Sequence, residues 1–177
     1  MYVALLRAVN LGAHGKVKMA ALRELLQGLE FTEVRTLLNS GNAVFAAGSK
    51  TSRSIEAQLE TAAARDLGLK TAFFVRSARE WQALIKANPF AEEARDDPGH
   101  LLMLTCKEAP AAAAVKALAA AIQGRERVAA KGKQIYAVYQ DGIGRSKLSA
   151  ALIEKHLGTR VSGRNWNTVR KIAELLG

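Results

Sequence analysis

The sequence predicts an α+β protein made of tandem ferredoxin-like βαββαβ units, the second incomplete, with a C-terminal helix. Three observations carry this. Strand-length apolar runs alternate with helical stripes in the order β-α-β-β-α-β between Tyr2 and Arg76. The order starts again at His100. Between the two, residues 91–99 are polar and turn-rich, as a linker is. The expected domains are therefore 1–90, including a short helix, and 100–177. A chain of 177 residues can hold one domain or two small ones.

Residues 2–10 read as a strand buried on both faces, and the run breaks at Leu11-Gly-Ala-His-Gly15. Met19, Leu22, Leu26 and Leu29 form a helical stripe that Gly28 stops. Residues 34–38 and 43–46 flank Asn39-Ser-Gly-Asn42, a hairpin signal because Gly and Asn adopt positive φ cheaply. Thr51 and Ser52 can cap a helix striped by Ile55, Leu59, Ala62 and Leu67, with Gly68 closing it. Residues 71–75 are the fourth strand. Ser77-Ala-Arg-Glu80 then spells a capping box ahead of a short helix carrying Trp81, Leu84 and Ile85, which ends before Pro89.

In the second half, residues 100–107 read as a strand, and Pro110 suits the first turn of a helix striped by Val115, Leu118, Ala119 and Ile122. Residues 125–130 and 134–139 are strands around Lys131-Gly-Lys133. Ser146 is placed to cap a helix carrying Leu148, Leu152 and Leu157, which Gly158 ends. The hairpin glycines Gly41 and Gly132 stand 91 positions apart, so the two halves share an element order rather than residue identities. Only Thr159-Arg-Val161 stands where a fourth strand belongs. A last helix then follows, striped by Trp166, Val169, Ala173 and Leu176.

An apolar fraction of 49% with 24% charged excludes a disordered chain. Net charge is +10 and uneven: +3 over residues 1–124 and +7 over 125–177. A basic C-terminal third fits an anionic partner, nucleic acid or a phosphorylated ligand, and equally a surface that only keeps the protein soluble. The single Cys106, inside an apolar run, forms no intrachain disulfide and reads as a buried thiol, which fits the cytoplasm. Arg7 interrupts the first apolar stretch, so it reads as neither signal peptide nor membrane span, and no membrane partner is expected.

The chemistry-bearing motifs exclude more than they assign. Gly12-Ala-His-Gly15-Lys16 is too short for a P-loop, and Val17 replaces the hydroxyl that would hold Mg²⁺. Gly142-Ile-Gly144 lacks the third glycine of a dinucleotide fingerprint. No cofactor is expected. His14, His100 and His156 stand far apart, with no ligand spacing for a metal. No nucleophile–base pair is recognisable, so catalytic residues are unassigned. Tyr136 and Tyr139 fall on opposite strand faces, which does not suit base stacking.

The anion-binding candidates lie in four places. Arg7, Asn10, Lys16 and Lys18 surround the first loop, which feeds a helix N-terminus. Arg7, in an apolar strand, either pairs with a carboxylate or points into a polar cleft. Ser40 and Asn42 sit in the first hairpin. Lys131, Lys133, Arg145 and Lys147 populate the basic C-terminal third. In Arg164-Asn-Trp-Asn-Thr168, Trp166 fits the helix stripe and Asn165 a cap, while Arg164 and Asn167 stay open to binding. Two electropositive helix starts from opposite chain ends would make one site if Arg7 or Asn10 shared a cleft with Arg164 or Asn167.

Four of these segments together resemble the bacterial domain-of-unknown-function family 1697. They are Tyr2-Val-Ala-Leu-Leu-Arg-Ala-Val-Asn-Leu-Gly12 with Lys16-Val-Lys-Met19; Ser40-Gly-Asn42 with Val44-Phe45; Ser146-Lys-Leu-Ser149 with Glu154-Lys155; and Arg164-Asn-Trp-Asn-Thr-Val169. The family pattern has glycine where this chain has Ala8 and Ala13, and threonine where Gly163 precedes Arg164. The resemblance implies an α+β protein and brings no activity, cofactor or catalytic residue. Three functions stay open from the residues. The first is a non-catalytic module binding nucleic acid or another polyanion through the basic C-terminal face. The second is an enzyme acting on a phosphorylated small molecule near Arg7 and Asn10. The third is a structural scaffold pairing its sheets as a homodimer.

Overall fold

The computed structural model describes residues 1–7, 17–37 and 41–177. Asn10, His14, Lys16, Leu38 and Ser40, all singled out above, lie outside the described residues. The chain is a mixed α+β protein that divides into two compact units, Met1–Gln82 with Ile172–Gly177, and Ala83–Lys171.

The first unit begins with β1 (Tyr2–Leu6), α1 (Met19–Gly28), β2 (Thr32–Leu37), β3 (Asn42–Ala46), α2 (Ser52–Asp66) and β4 (Phe73–Ser77). Its sheet is antiparallel, in the order β2-β3-β1-β4. The pleat sends Ala4, Leu6, Ala43, Phe45, Phe73 and Val75 to the face that α1 and α2 cover with Leu22, Leu26, Ile55 and Leu59. The alternate residues Val3, Leu5, Val44 and Phe74 are fully buried too. That is why β1 reads as a continuous apolar run. Strands β2 and β3 pair antiparallel as the sequence predicts, and Gly41 between them is needed twice. Gly41 has φ +73°, and a Cβ there would meet Leu6 Cβ at 2.6 Å. Edge strand β2 bulges between Thr32 and Arg35, with Glu33 at φ 53°, which twists it away from further pairing.

The caps follow the sequence in α2, where Thr51 accepts from the Ser54 N–H. They also do so in α3 (Ala78–Lys86). There Ser77 Oγ accepts from the Glu80 N–H (3.2 Å), and Glu80 accepts from the Ser77 N–H and the Ser52 hydroxyl (both 2.7 Å). Burial by itself would raise the Glu80 pKa, but the Ser52 and Ser77 donors and the Arg76 charge hold it below the usual range. A depressed folded pKa stabilises above the unfolded value and loses that stabilisation as pH falls through the folded one. Ser77→Ala should cost about 1 kcal/mol. In urea melts, the stability gap between wild type and Glu80→Gln should hold at neutral pH and close as the pH falls below about 4.5.

The second unit holds α4 (Ala91–Asp96), β5 (Leu101–Cys106), α5 (Ala112–Ala120), β6 (Arg127–Lys131), β7 (Gln134–Val138), a 3-10 turn at Ile143–Arg145, α6 (Ala150–Leu157) and β8 (Val161–Asn165). Helix α7 (Trp166–Leu176) follows. Its antiparallel sheet runs β6-β7-β5-β8. Leu104, Cys106, Ile135, Ala137 and Val161 pack under Leu118, Ile153 and Leu157.

Several expectations are corrected here. The second sheet has its fourth strand. The expected remnant Thr159-Arg-Val161 stops short because Ser162 and Arg164 are polar, yet both are buried in β8. The polar stretch 91–99 is not an open linker, since most of it forms α4, which buries Ala94. Leu67 is exposed at the α2 C-cap, and Ala63 takes its place in the core. Ser149, not Ser146, caps α6 by accepting from the Leu152 N–H. Helix α5 starts at Ala112, beyond Pro110.

Candidate anion-binding surface

Strand order in the second sheet gathers cations that are scattered along the chain. Lys131 ends β6 and Lys133 follows in the turn, with Lys131 paired to Gln134. The Lys133 carbonyl accepts from the Cys106 N–H at 2.7 Å, which puts the hairpin tip beside the end of β5. One residue on, the Lys107 N–H donates to the Arg160 carbonyl at 3.2 Å, just before β8. Lys131, Lys133, Lys107 and Arg160 thus form a row across one end of all four strands, about 14 Å long at normal strand spacing. Lys133 Nζ donates to the Lys107 carbonyl (2.9 Å) and lies 3.4 Å from Glu108; Glu154, accepting from the Val161 N–H (2.9 Å), is a second carboxylate at this end. Lys107 and Arg160 are not among the sequence candidates. Finding them requires the β5–β8 register, which a truncated fourth strand conceals.

Arg145 and Lys147 belong to the other end of this sheet. Lys147 Nζ donates to Gln123 Oε1 (3.1 Å), and Ser146 donates to Glu126, both just ahead of β6. The Ser146 hydroxyl holds the Glu126 carboxyl below its usual pKa. Arg125, Glu126 and Asp141 make that end mixed in sign. The quartet Lys131, Lys133, Arg145 and Lys147 therefore splits into two pairs at opposite ends.

The segment 164–168 is the end of β8 and the start of α7. Arg164 is buried and donates through Nη1 to Ser162 Oγ (3.0 Å) and the Gly163 carbonyl (2.7 Å); burial pushes its pKa down to about 10. Asn165 Oδ1 caps α7, accepting from the Thr168 N–H (3.0 Å) and hydroxyl (2.9 Å). Trp166 is buried 6.4 Å from the Tyr136 ring. Asn167 is exposed. Tyr136 and Tyr139 are buried, with hydroxyls on the Leu84 (2.5 Å) and Leu148 (3.0 Å) carbonyls; burial pushes both up to about 12.

In the first unit, Arg7 is half-buried just past β1, with its N–H on the Ala72 carbonyl at 3.0 Å. Lys18 is exposed at the N-cap of α1. Asn42 is fully buried and donates to the Leu37 carbonyl (2.9 Å), a tie within the hairpin. Among the described residues, no group of three or more His, Cys, Asp and Glu is placed to hold a metal, and no helix is long and apolar enough to cross a membrane.

The chain is similar over 99% of its length to 98% of the conserved bacterial protein SP0830 from Streptococcus pneumoniae, at 22% identity and a TM-score of 0.75, a likeness of fold. No curated protein matches it. The family described as "Protein of unknown function (DUF1697)" matches residues 1–136, most of the chain. On that match the chain belongs to DUF1697.

Proposed function

We propose that this protein is a non-catalytic module that binds nucleic acid or another polyanion through the basic end of its C-terminal sheet. The row Lys107, Lys131, Lys133 and Arg160, with Glu108 beside it, carries the reading. Cations spaced by strand geometry hold their charge in register without ordering a loop, so a repeating phosphate backbone meets several at once. Each unit is read as a ferredoxin-like βαββαβ fold, on the strength of two matching strand orders. A cytoplasmic place fits the buried, free Cys106.

The test compares two variants of equal net charge, Lys131→Gln/Lys133→Gln and Arg145→Gln/Lys147→Gln. Binding of a single-stranded oligonucleotide is followed by fluorescence anisotropy across a salt series. The first variant should reduce the log–log salt slope by about 1.4, at about 0.7 per phosphate contact, and the second should leave it near wild type. Equal loss in both variants would reduce the effect to net charge, and an unchanged slope in the first would remove the binding surface.

A further inference from the structure

The two sheets place equivalent residues in equivalent registers, and one difference between them points to a ligand. Val3 pairs with Val44 and Arg76; Met103 pairs with Tyr136 and Arg164. Arg76 and Arg164 therefore occupy the same position on the outermost strand. Each is buried and each donates through Nη1 to the carbonyl of the preceding residue at 2.7 Å.

Strand parity fixes which N–H groups face outward. In β4, the bonds from Arg7 to Ala72 and from Ala78 to Met1 turn the Phe73, Val75 and Ser77 N–H groups away from β1. All three meet carboxylates: Glu60 (3.0 Å), Glu56 (2.8 Å) and Glu80 (2.7 Å). Glu56 also lies 3.5 Å from the Arg76 guanidinium, so carboxylate and arginine close the edge like a neighbouring strand. In β8, the Lys107–Arg160 bond sets the same parity, and Val161, Gly163 and Asn165 face outward. Glu154 takes the Val161 N–H at 2.9 Å, as Glu60 takes that of Phe73. One helical turn earlier, where α2 has Glu56, α6 has Ala150. Gly163 adds no side chain to shield its N–H, and among the described residues no acceptor meets it.

We propose that the outer edge of β8 at Gly163 is a binding site for an exogenous carboxylate, which takes the place Glu56 holds in the first unit. One carboxylate oxygen accepts from the Gly163 N–H, and its charge faces the Arg164 guanidinium bonded to the Gly163 carbonyl. The site lies apart from the basic row and stands whether or not that row binds polyanions.

The test follows the Gly163 amide by ¹⁵N NMR while acetate replaces chloride at constant ionic strength. The shift should saturate in the millimolar range in wild type. Ala150→Glu restores the internal carboxylate, and in it acetate should no longer move the Gly163 amide. Ala151→Glu adds the same charge to the first turn of α6 one residue away, and should keep the acetate response. An acetylated, amidated tripeptide with a central glutamate distinguishes the source. Tighter binding than acetate assigns the site to a protein side chain; weaker binding assigns it to a free acid. A Gly163 amide that acetate does not shift saturably, or shifts equally in Ala150→Glu, overturns the proposal.

Discussion

Phe45→Ala should destabilise the first unit by about 3–5 kcal/mol, the range for truncating a large buried aromatic. Phe45 is fully buried in β3, on the face that α1 and α2 cover. Its ring stacks on Phe31 at 4.8 Å with 12° between planes, and on Tyr2 at 6.3 Å. The neighbours that could fill the space belong to a hydrogen-bonded sheet and two helices, so collapse into the cavity is limited. Phe45→Leu keeps most of the volume and should recover more than half of the loss. Urea unfolding of both variants measures this. A loss below 1 kcal/mol for alanine would mean that Phe45 is not in the core.

Glu56→Ala should cost about 3 kcal/mol, because it takes a partner from two groups at once. The Val75 N–H loses its acceptor, and Arg76, 8% exposed, loses the carboxylate 3.5 Å away. Glu56→Gln keeps an acceptor for Val75 but drops the charge, so the difference between the two variants separates hydrogen bond from ion pair. Adding Arg76→Met to Glu56→Ala should recover part of the loss, since a buried pair is often replaceable as a pair. If the double variant is the sum of the singles, the two residues are not coupled.

Much of the fold was legible because its signals are local. The positive-φ Gly41, the Thr51 cap and the Ser77–Glu80 box are short-range chemistry, and helices with one apolar stripe declare themselves by period. Strand β8 was not legible, since its buried positions carry Ser162 and Arg164, and polarity reads as surface when burial is not known. Helix α4 was hidden for a related reason: five of its six residues are not buried, and it has no side-chain cap. The basic candidates could be named from charge, but their grouping depends on register. Lys107 and Arg160 meet only because β5 and β8 pair, while Arg145 and Lys147 sit apart because Ser146 and Lys147 bond Glu126 and Gln123 ahead of β6. The carboxylates along β4 are further from reach. Nothing in Glu56 or Glu60 distinguishes them from solvent-facing helix residues until the strand beside them is placed.

The first unit is discontinuous in sequence, joining residues 1–82 to residues 172–177, which include the buried Ile172 and Leu176. The ribosome therefore makes every residue of the second unit before it makes the last residues of the first. At about 5–20 residues per second, the nascent N-terminal unit waits roughly 5–20 s for the segment that completes it. Vectorial synthesis and order of completion run in opposite senses, so the N-terminal unit is the one that a folding helper would have to hold.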